Sequence, residues 1–321
     1  MKKEMEKFQE DIQLGKIAYY PGCSLNSTAM DFNASLKNLL KFLNVEFEEI
    51  DDWNCCGTTP AHNVSEELSI ILSARNLLLA KKMGYENILC PCVSCYCKLL
   101  IASKVINSNI EPENKMQESK RDLVLEELKN MGFDINQKLD FRVYSIVEFL
   151  LLIKEKIRNK YIEVKDKINN SKEIMLIKSL KPVCYYGCVL LRPGYVTKFD
   201  SIENPTSMES VLKEVGIESL DFSFKTECCG AILSLTNKNI VIELSEKILN
   251  AAQDSGANCI IVCCPLCQQN LDLRQSQINN YFKSNYRFPV FYISQILGLA
   301  LGLSLKNTMI DKLFVKPDIR I

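Results

Sequence analysis

The sequence predicts an α/β protein of two similar halves, each a mainly parallel sheet with crossover helices and with cysteines on loops at strand carboxyl ends. Three observations predict it. Strand-like runs alternate with amphipathic helical runs, and one order of elements occurs twice. Five cysteines spaced C…CC…CxxC also recur in matching order: Cys23, Cys55, Cys56, Cys92 and Cys95, then Cys188, Cys228, Cys229, Cys264 and Cys267.

In chain order, KIAYY (16–20) reads as a short buried strand ending at a Gly-Cys turn. STAMDFNASLKNLLKFL (27–43) has apolar residues at helical spacing, with a Ser or Thr available as N-cap. VEFEEI (45–50) alternates like a strand and runs into the first Cys-Cys-Gly. SEELSIILSARNLLLAKKMG (65–84) is an amphipathic helix stopped by Gly84, and NILC (87–90) is a strand leading into the CxxC. The second half repeats this with KPVCYY (181–186), a helix near 206–215, a strand IESLDF (217–222), Cys-Cys-Gly, a helix over 239–255, a strand NCIIVC (258–263), CxxC and a helix. Residues 107–180, rich in Lys, Glu and Asn, read as a helical connection.

The repeat is close. Gaps of 31, 35 and 2 residues in the first set face 39, 34 and 2 in the second. YYPGC (19–23) faces YYGC (185–188), and YSIVEFLLL (144–152) echoes YISQILGLA (292–300). Internal duplication is the simplest reading. Function in parallel sheets gathers beyond the strand carboxyl ends, so loops far apart in sequence can bring these thiols to one place. Helix N-termini there aim N–H groups at an anionic occupant.

Two cysteines in succession on a strand would point to opposite faces. Gly57 and Gly230 can take positive φ, so the chain can turn after each pair and let both sulfurs face one object. Five thiolates per half exceed the four that a tetrahedral zinc or a regular cubane takes. Buried structural cysteines do not account for the doubled order, and zinc predicts sets of four, often with histidines.

The 321 residues suit two domains, and 47% hydrophobic with 24% charged residues allows a substantial core. Lys plus Arg equals Asp plus Glu, 39 each, which removes the basic footprint of a nucleic-acid binder. The charged start MKKEMEKFQEDIQLGK lacks a secretory apolar run, and FLLLI (149–153) and ILGLALGL (296–303) are too short to span a bilayer. A soluble, cytoplasmic protein with no direct membrane span is expected. Fifteen cysteines, an odd number, then point to reduced thiols and to metal or iron–sulfur ligation.

On these residues the chain resembles the heterodisulfide reductase family, in whose catalytic iron–sulfur subunit the cysteine-rich CCG domain is present twice; the resemblance runs over roughly 16 to 305. It implies two Rossmann-like CCG halves: an N-terminal extension 1–15, a first CCG domain 16–106, the connection 107–180, a second CCG domain 181–305 and a tail 306–321. It implies two noncubane [4Fe-4S] clusters, one on Cys23, Cys55, Cys56, Cys92 and Cys95, the other on Cys188, Cys228, Cys229, Cys264 and Cys267. It implies catalytic reduction of a small disulfide lying between two facing clusters, with electrons from a ferredoxin-like iron–sulfur subunit and a flavin subunit as a further candidate partner. The alternative is an electron-transfer module of another oxidoreductase complex, without substrate chemistry of its own.

Ferredoxin-type CxxCxxCxxxCP runs are absent from the chain, so an external donor is expected. Where the family commonly has a histidine after the first cysteine of the second set, this chain has Val189, which points away from the coenzyme M–coenzyme B substrate; the Tyr185 position is also often histidine. Candidate substrate contacts are Arg192, Tyr20 and Tyr185, with Lys198 near Arg192. For Arg192 the plainer alternative is a surface salt bridge; for the tyrosines it is a buried hydroxyl satisfying a backbone group. Trp53 reads as a wall of the first cluster pocket, and His62, the only histidine, as a loop residue or a proton donor. Cys90, Cys97, Cys184, Cys259 and Cys263 lie outside the sets; Cys90 and Cys263 adjoin CxxC motifs, and Cys184 and Cys259 read as core.

Overall fold

The computed structural model describes residues 17–317, leaving out 59, 60, 62, 63, 108–114, 137, 138, 170, 193, 195, 196 and 198. In chain order the elements are β1 (Ile17–Tyr19), α1 (Gly22–Leu25), α2 (Met30–Phe42), β2 (Glu48–Glu49), α3 (Glu66–Lys82), β3 (Asn87–Cys90), α4 (Val93–Ile106), α5 (Lys115–Asn130) and β4 (Arg142–Ser145). Next come α6 (Ile146–Leu152), α7 (Lys154–Ile168), α8 (Lys172–Ser179), β5 (Pro182–Tyr185), α9 (Ser207–Lys213), α10 (Lys238–Asp254), β6 (Cys259–Val262), α11 (Pro265–Asp272), α12 (Gln275–Phe282), β7 (Val290–Tyr292) and α13 (Ile293–Ala300). The class is α/β with parallel sheets, as the alternation of elements predicts.

The chain forms two compact units. One joins the residues up to Asn26 with Val45–Ile146; the other joins Ser27–Asn44 with the chain from Val147 onward. The first unit holds a sheet of order β2-β1-β3-β4, every pair parallel, with Ala18 opposite Ile88 and Ile88 opposite Val143. β3 is buried along its whole length, which suits a strand covered on both faces. α3 packs against α4 and α5. Ser65 accepts the Leu68 N–H as its N-cap, Glu66 and Glu67 sit at its positive end, Lys81 and Lys82 at its negative end, and Gly84 at φ +91° ends it. β4 lies inside the 107–180 segment, so that segment contributes a strand to the first sheet as well as helices.

The second unit holds the parallel sheet β5-β6-β7, with Val183 opposite Ile260 and Ile260 opposite Val290. The strand expected over 217–222 does not form. Only Leu220 N reaches Pro182 O, at 2.8 Å, and the Phe222 N–H is taken by the Asp221 side chain, so a backbone donor is lost to a local turn. α13 is buried from end to end, as a packing helix should be. Against it lies α2, whose Phe32 ring stacks on Tyr292 at 4.2 Å and whose Ser35 hydroxyl meets Ser294 at 2.8 Å. Such a ring contributes about 1.5–3 kcal/mol by burial. α2 starts at Ala29 with no side-chain cap, contrary to the expected Ser or Thr cap, and rests on this packing. Among the described residues no helix is long and apolar enough to cross a membrane.

Candidate metal centre

In the first unit, β1, β2 and β3 each deliver cysteines at their carboxyl ends. Gly22, at φ +70°, turns the chain after β1, and a Cβ there would lie 2.8 Å from Cys95 Sγ. The loop carrying Cys55 and Cys56 is tied down by side chains. The Tyr20 hydroxyl donates to Asn54 O (2.7 Å), and Asn76 both accepts from Asn54 N (2.9 Å) and donates to Asn54 O (3.0 Å). Ser73 donates to Cys56 O (3.1 Å), and Gly57, at φ +73°, turns its N–H to Cys55 Sγ (3.5 Å). Cys92 caps α4. Sulfur meets sulfur at 3.7 Å between Cys23 and Cys55 and at 3.2 Å between Cys56 and Cys95.

These contacts sort the protons. Hydrogen bonds from Cys23 and Cys56, with the Gly57 N–H, pull the Cys55 thiol down to about 2, so Cys23 keeps the proton they share and is pushed up. Cys56 is pushed up to about 12, first by its thiolate neighbour Cys55 and also by burial. Cys92 is lowered, first by Cys95 and also by the N–H groups of Ser94 and Cys95 at the helix start.

The second unit repeats the frame. Gly187, at φ +71°, would set a Cβ 3.0 Å from Cys267 Sγ. The Tyr185 hydroxyl donates to Glu227 O (2.6 Å), Ser245 donates to Cys229 O (3.4 Å), and Gly230, at φ +75°, donates to Cys228 Sγ (3.3 Å). Cys264 stands at the N-cap position of α11, and Cys229 lies 3.6 Å from Cys267. Cys228 is pulled down to about 6, first by its hydrogen bond with Cys188 and then by Gly230 N–H. One support has no partner in the first unit: buried Lys225 pairs with Glu209 (2.8 Å), and its carbonyl accepts from Tyr186 N and Gly187 N just before Cys188.

Each set has a closed side and an open one. Cys56, Cys92, Cys95, Cys229, Cys264 and Cys267 are buried, Cys55 and Cys188 half-buried, and Cys23 and Cys228 exposed. Cys90, Cys97, Cys184, Cys259 and Cys263 are all buried; Cys90 adjoins Cys95, while Cys263 faces Tyr186 O at 3.7 Å. Tyr20 and Tyr185 are inaccessible to solvent, and their hydroxyls hold the Cys-Cys loops. Trp53 packs edge-on to Tyr20 at 5.6 Å, beside the first pair. Val189 and Arg192 are exposed. His62 and Lys198 lie outside the described residues. Among the described residues no three or more His, Cys, Asp or Glu side chains group to hold a single ion; the thiols meet as chains of pairs.

Sequence reasoning missed Ser73 and Ser245, which stand 17 and 16 residues after Cys56 and Cys229 on equivalent helices. Laying one repeat over the other would have found them. It also missed Asn76, Asn270 and Lys225, whose neighbours only the fold reveals.

The chain matches the family described as Cysteine-rich domain (CCG) over residues 17–100 and again over 183–272. It belongs to the CCG family. Its two CCG copies contain the two cysteine sets. This CCG chain is 29% identical over 91% of its length to the 8-methylmenaquinol:fumarate reductase membrane anchor subunit of Wolinella succinogenes, covering 94% of that protein. It is 27% identical to a Ferredoxin:CoB-CoM heterodisulfide reductase subunit of Methanosarcina mazei, and 24% identical to a heterodisulfide reductase subunit-like protein of Archaeoglobus profundus. Each of those matches covers 91% of the relative, over 91% and 89% of this chain. A hypothetical protein from Helicobacter pylori shares the fold with a TM-score of 0.63 at 14% identity; 94% of this chain is covered, and it spans about half (52%) of that one.

Proposed function

We propose that this CCG protein is an iron–sulfur subunit of an oxidoreductase complex and that each cysteine set holds a noncubane [4Fe-4S] cluster. We further propose that it reduces a small disulfide, or a related acceptor, with electrons from a ferredoxin-like iron–sulfur partner. The observation that carries the reading is the doubled frame: five thiols per set reach the carboxyl end of a parallel sheet, most of them buried, with one or two open to solvent. The donor set fits the group. It is all sulfur, and five thiols per set outnumber the ligands of one zinc.

Cys23, Cys55, Cys56, Cys92 and Cys95 would hold one cluster, and Cys188, Cys228, Cys229, Cys264 and Cys267 the other. Bound there, such clusters would supply the two electrons that, with two protons, convert one disulfide into two thiols. The chain's own residues do the rest. Gly57 and Gly230 amides stabilise thiolate charge on the first cysteine of each pair. Buried Tyr20 and Tyr185 exclude water from the closed side. Cys23, Cys55, Cys188 and Cys228 mark the edge an acceptor can reach, and exposed Arg192 near Cys188 is suited to an anionic one. Val189 carries no titratable proton, so in this reading water, a tyrosine or a lysine supplies the protons at the second set.

Anaerobically reconstituted protein should contain about eight irons with matching sulfide. Cys228→Ala should lose about half of them. Stoichiometric zinc with no iron would refute the reading. The similarity to a fumarate reductase subunit favours a second reading, electron transfer without substrate chemistry. Iron-replete protein that shuttles electrons between carriers yet never reduces a disulfide in the presence of reduced ferredoxin would decide for it.

A further inference from the structure

We infer that Asn270 sets the reduction potential of the second cysteine set through an N–H···S hydrogen bond to Cys229, and that Thr58 performs the same task in the first set by different means. The inference rests on the iron–sulfur reading above.

Asn270 is 2% exposed, on α11, three residues after Cys267. Its neighbours fix which way the amide points. Arg274 Nε, which can only donate, lies 3.0 Å from Oδ1, and the Ser234 hydroxyl lies 3.2 Å from the same atom. Nδ2 must therefore face the other way, toward Cys229. There one N–H goes to the Cys229 carbonyl (3.1 Å), which can only accept, and the amide stands 3.6 Å from Cys229 Sγ. Arg274 is itself held, with Nη2 on Ser234 O at 3.3 Å. The donor is thus aimed and locked by a guanidinium, and burial strengthens it.

The first set cannot do this, because Lys98 stands at the equivalent place, three residues after Cys95. Its second paired cysteine instead meets the Thr58 hydroxyl, 3.0 Å from Cys56 Sγ, where the second set has Ala231. Donors aimed at ligating sulfurs favour the more negative, reduced state of a cluster and so raise its potential. Two sets with one backbone frame therefore carry independent settings.

The test is a redox titration, followed by electron paramagnetic resonance, of full-length reconstituted protein, with Cys228→Ala identifying the signal of the second set. Asn270→Asp, nearly isosteric, replaces the donor with a carboxylate oxygen, and Asn270→Leu removes it. Both should keep wild-type iron and move only the second midpoint downward, by about tenfold in the one-electron equilibrium or about 59 mV. Thr58→Val should move only the first. Wild-type iron with both midpoints unmoved in both Asn270 variants would overturn the inference. Loss of iron from both would overturn it too, since the contact would then hold the group and not tune it. Wild-type protein that takes up no iron would bring down the cluster reading, and this inference with it, a result separate from an unmoved midpoint.

Discussion

Alanine at Gly22 attacks the site at a point where the consequences can be worked from the structure. Gly22 stands at φ +70°, where an L-residue costs about 1–2 kcal/mol. Its new Cβ would lie 2.8 Å from Cys95 Sγ, against a comfortable contact of about 3.5–4.0 Å. One of the two must move by roughly 1 Å. Cys95 sits buried in the first turn of α4, between the sulfur of Cys56 and the neighbouring Cys92, so the sulfur has little room to retreat. Metal ligation tolerates only about 0.2 Å of error. The fold should survive, because a penalty of about 1–3 kcal/mol is small against a domain's roughly 5–15 kcal/mol. We therefore expect a cooperative thermal transition and an iron content cut from about eight to about four per chain. Gly187→Ala, with its Cβ 3.0 Å from Cys267 Sγ, should do the same to the second set, less severely. A Gly22→Ala protein that keeps all its iron would refute the reasoning, for Cys95 Sγ could then not be where ligation needs it.

Tyr185→Phe should cost about 1–2 kcal/mol in urea unfolding and Tyr20→Phe about half that, because Asn54 O keeps Asn76 as a second donor; equal costs would show that the second bond is idle. Burial, with Asp31 nearby, holds the Asp272 carboxyl above its usual range against hydrogen bonds from Val315 N, Phe314 N and Gln268. The folded chain therefore holds that proton where the unfolded chain has already shed it, so this stability is fully present below about pH 3.9 and is lost as pH rises through the folded pKa. Asp272→Asn lacks this loss, so its unfolding free energy relative to wild type should climb as pH rises above about 4; a gap constant with pH would contradict it. In reduced, metal-free protein, iodoacetamide should label Cys55 and Cys228 quickly, Cys23 and Cys188 more slowly because they keep the shared protons, and Cys90, Cys184, Cys259 and Cys263 only in denaturant. Mass spectrometry showing fast labelling of Cys184 would place it outside the core.

What the sequence disclosed and what it hid have physical causes. β1, β3, β5 and β6 were legible because each is a buried apolar run ended by Gly or Cys, and α3 because its cap, charges and stop glycine agree with its periodicity. The turn glycines were legible as φ > 0 positions. The strand at 217–222 was not excluded by its pattern, since nothing in the alternation tells that Asp221 will take its neighbour's N–H. β4 was hidden in a stretch whose composition is that of solvated helices, and its four residues are too few to outweigh that. That α2 belongs with the second unit could not be read at all: an amphipathic face states that it is buried, not against what. The same limit hid Asn270 and Lys225, polar residues whose partners are distant in sequence.

Why neighbouring cysteines occur twice now has a mechanical answer. A Cys-Cys pair can face one object only if the backbone around it is bent and stays bent, and a bent loop leaves polar groups unpaired at a cost of about 1–3 kcal/mol each when buried. In both units those groups are taken. The carbonyl before the pair goes to a buried tyrosine, the carbonyl of the second cysteine to a serine on the following helix, and the glycine N–H turns back to the first sulfur. The same three straps in two stretches of chain with different neighbours imply a common demand on the loop. Within each set the sulfurs also contact one another, and Cys55 and Cys228 are driven toward thiolate first by the thiols beside them, Cys23 and Cys188. Packed thiols this close repel as soon as more than one is charged, so the arrangement is stable at neutral pH only as a proton-sharing cluster or around cations that replace those protons. A cluster of the kind proposed for each set would supply such cations, and Cys23 in the first set and Cys228 in the second are the thiols left open to solvent.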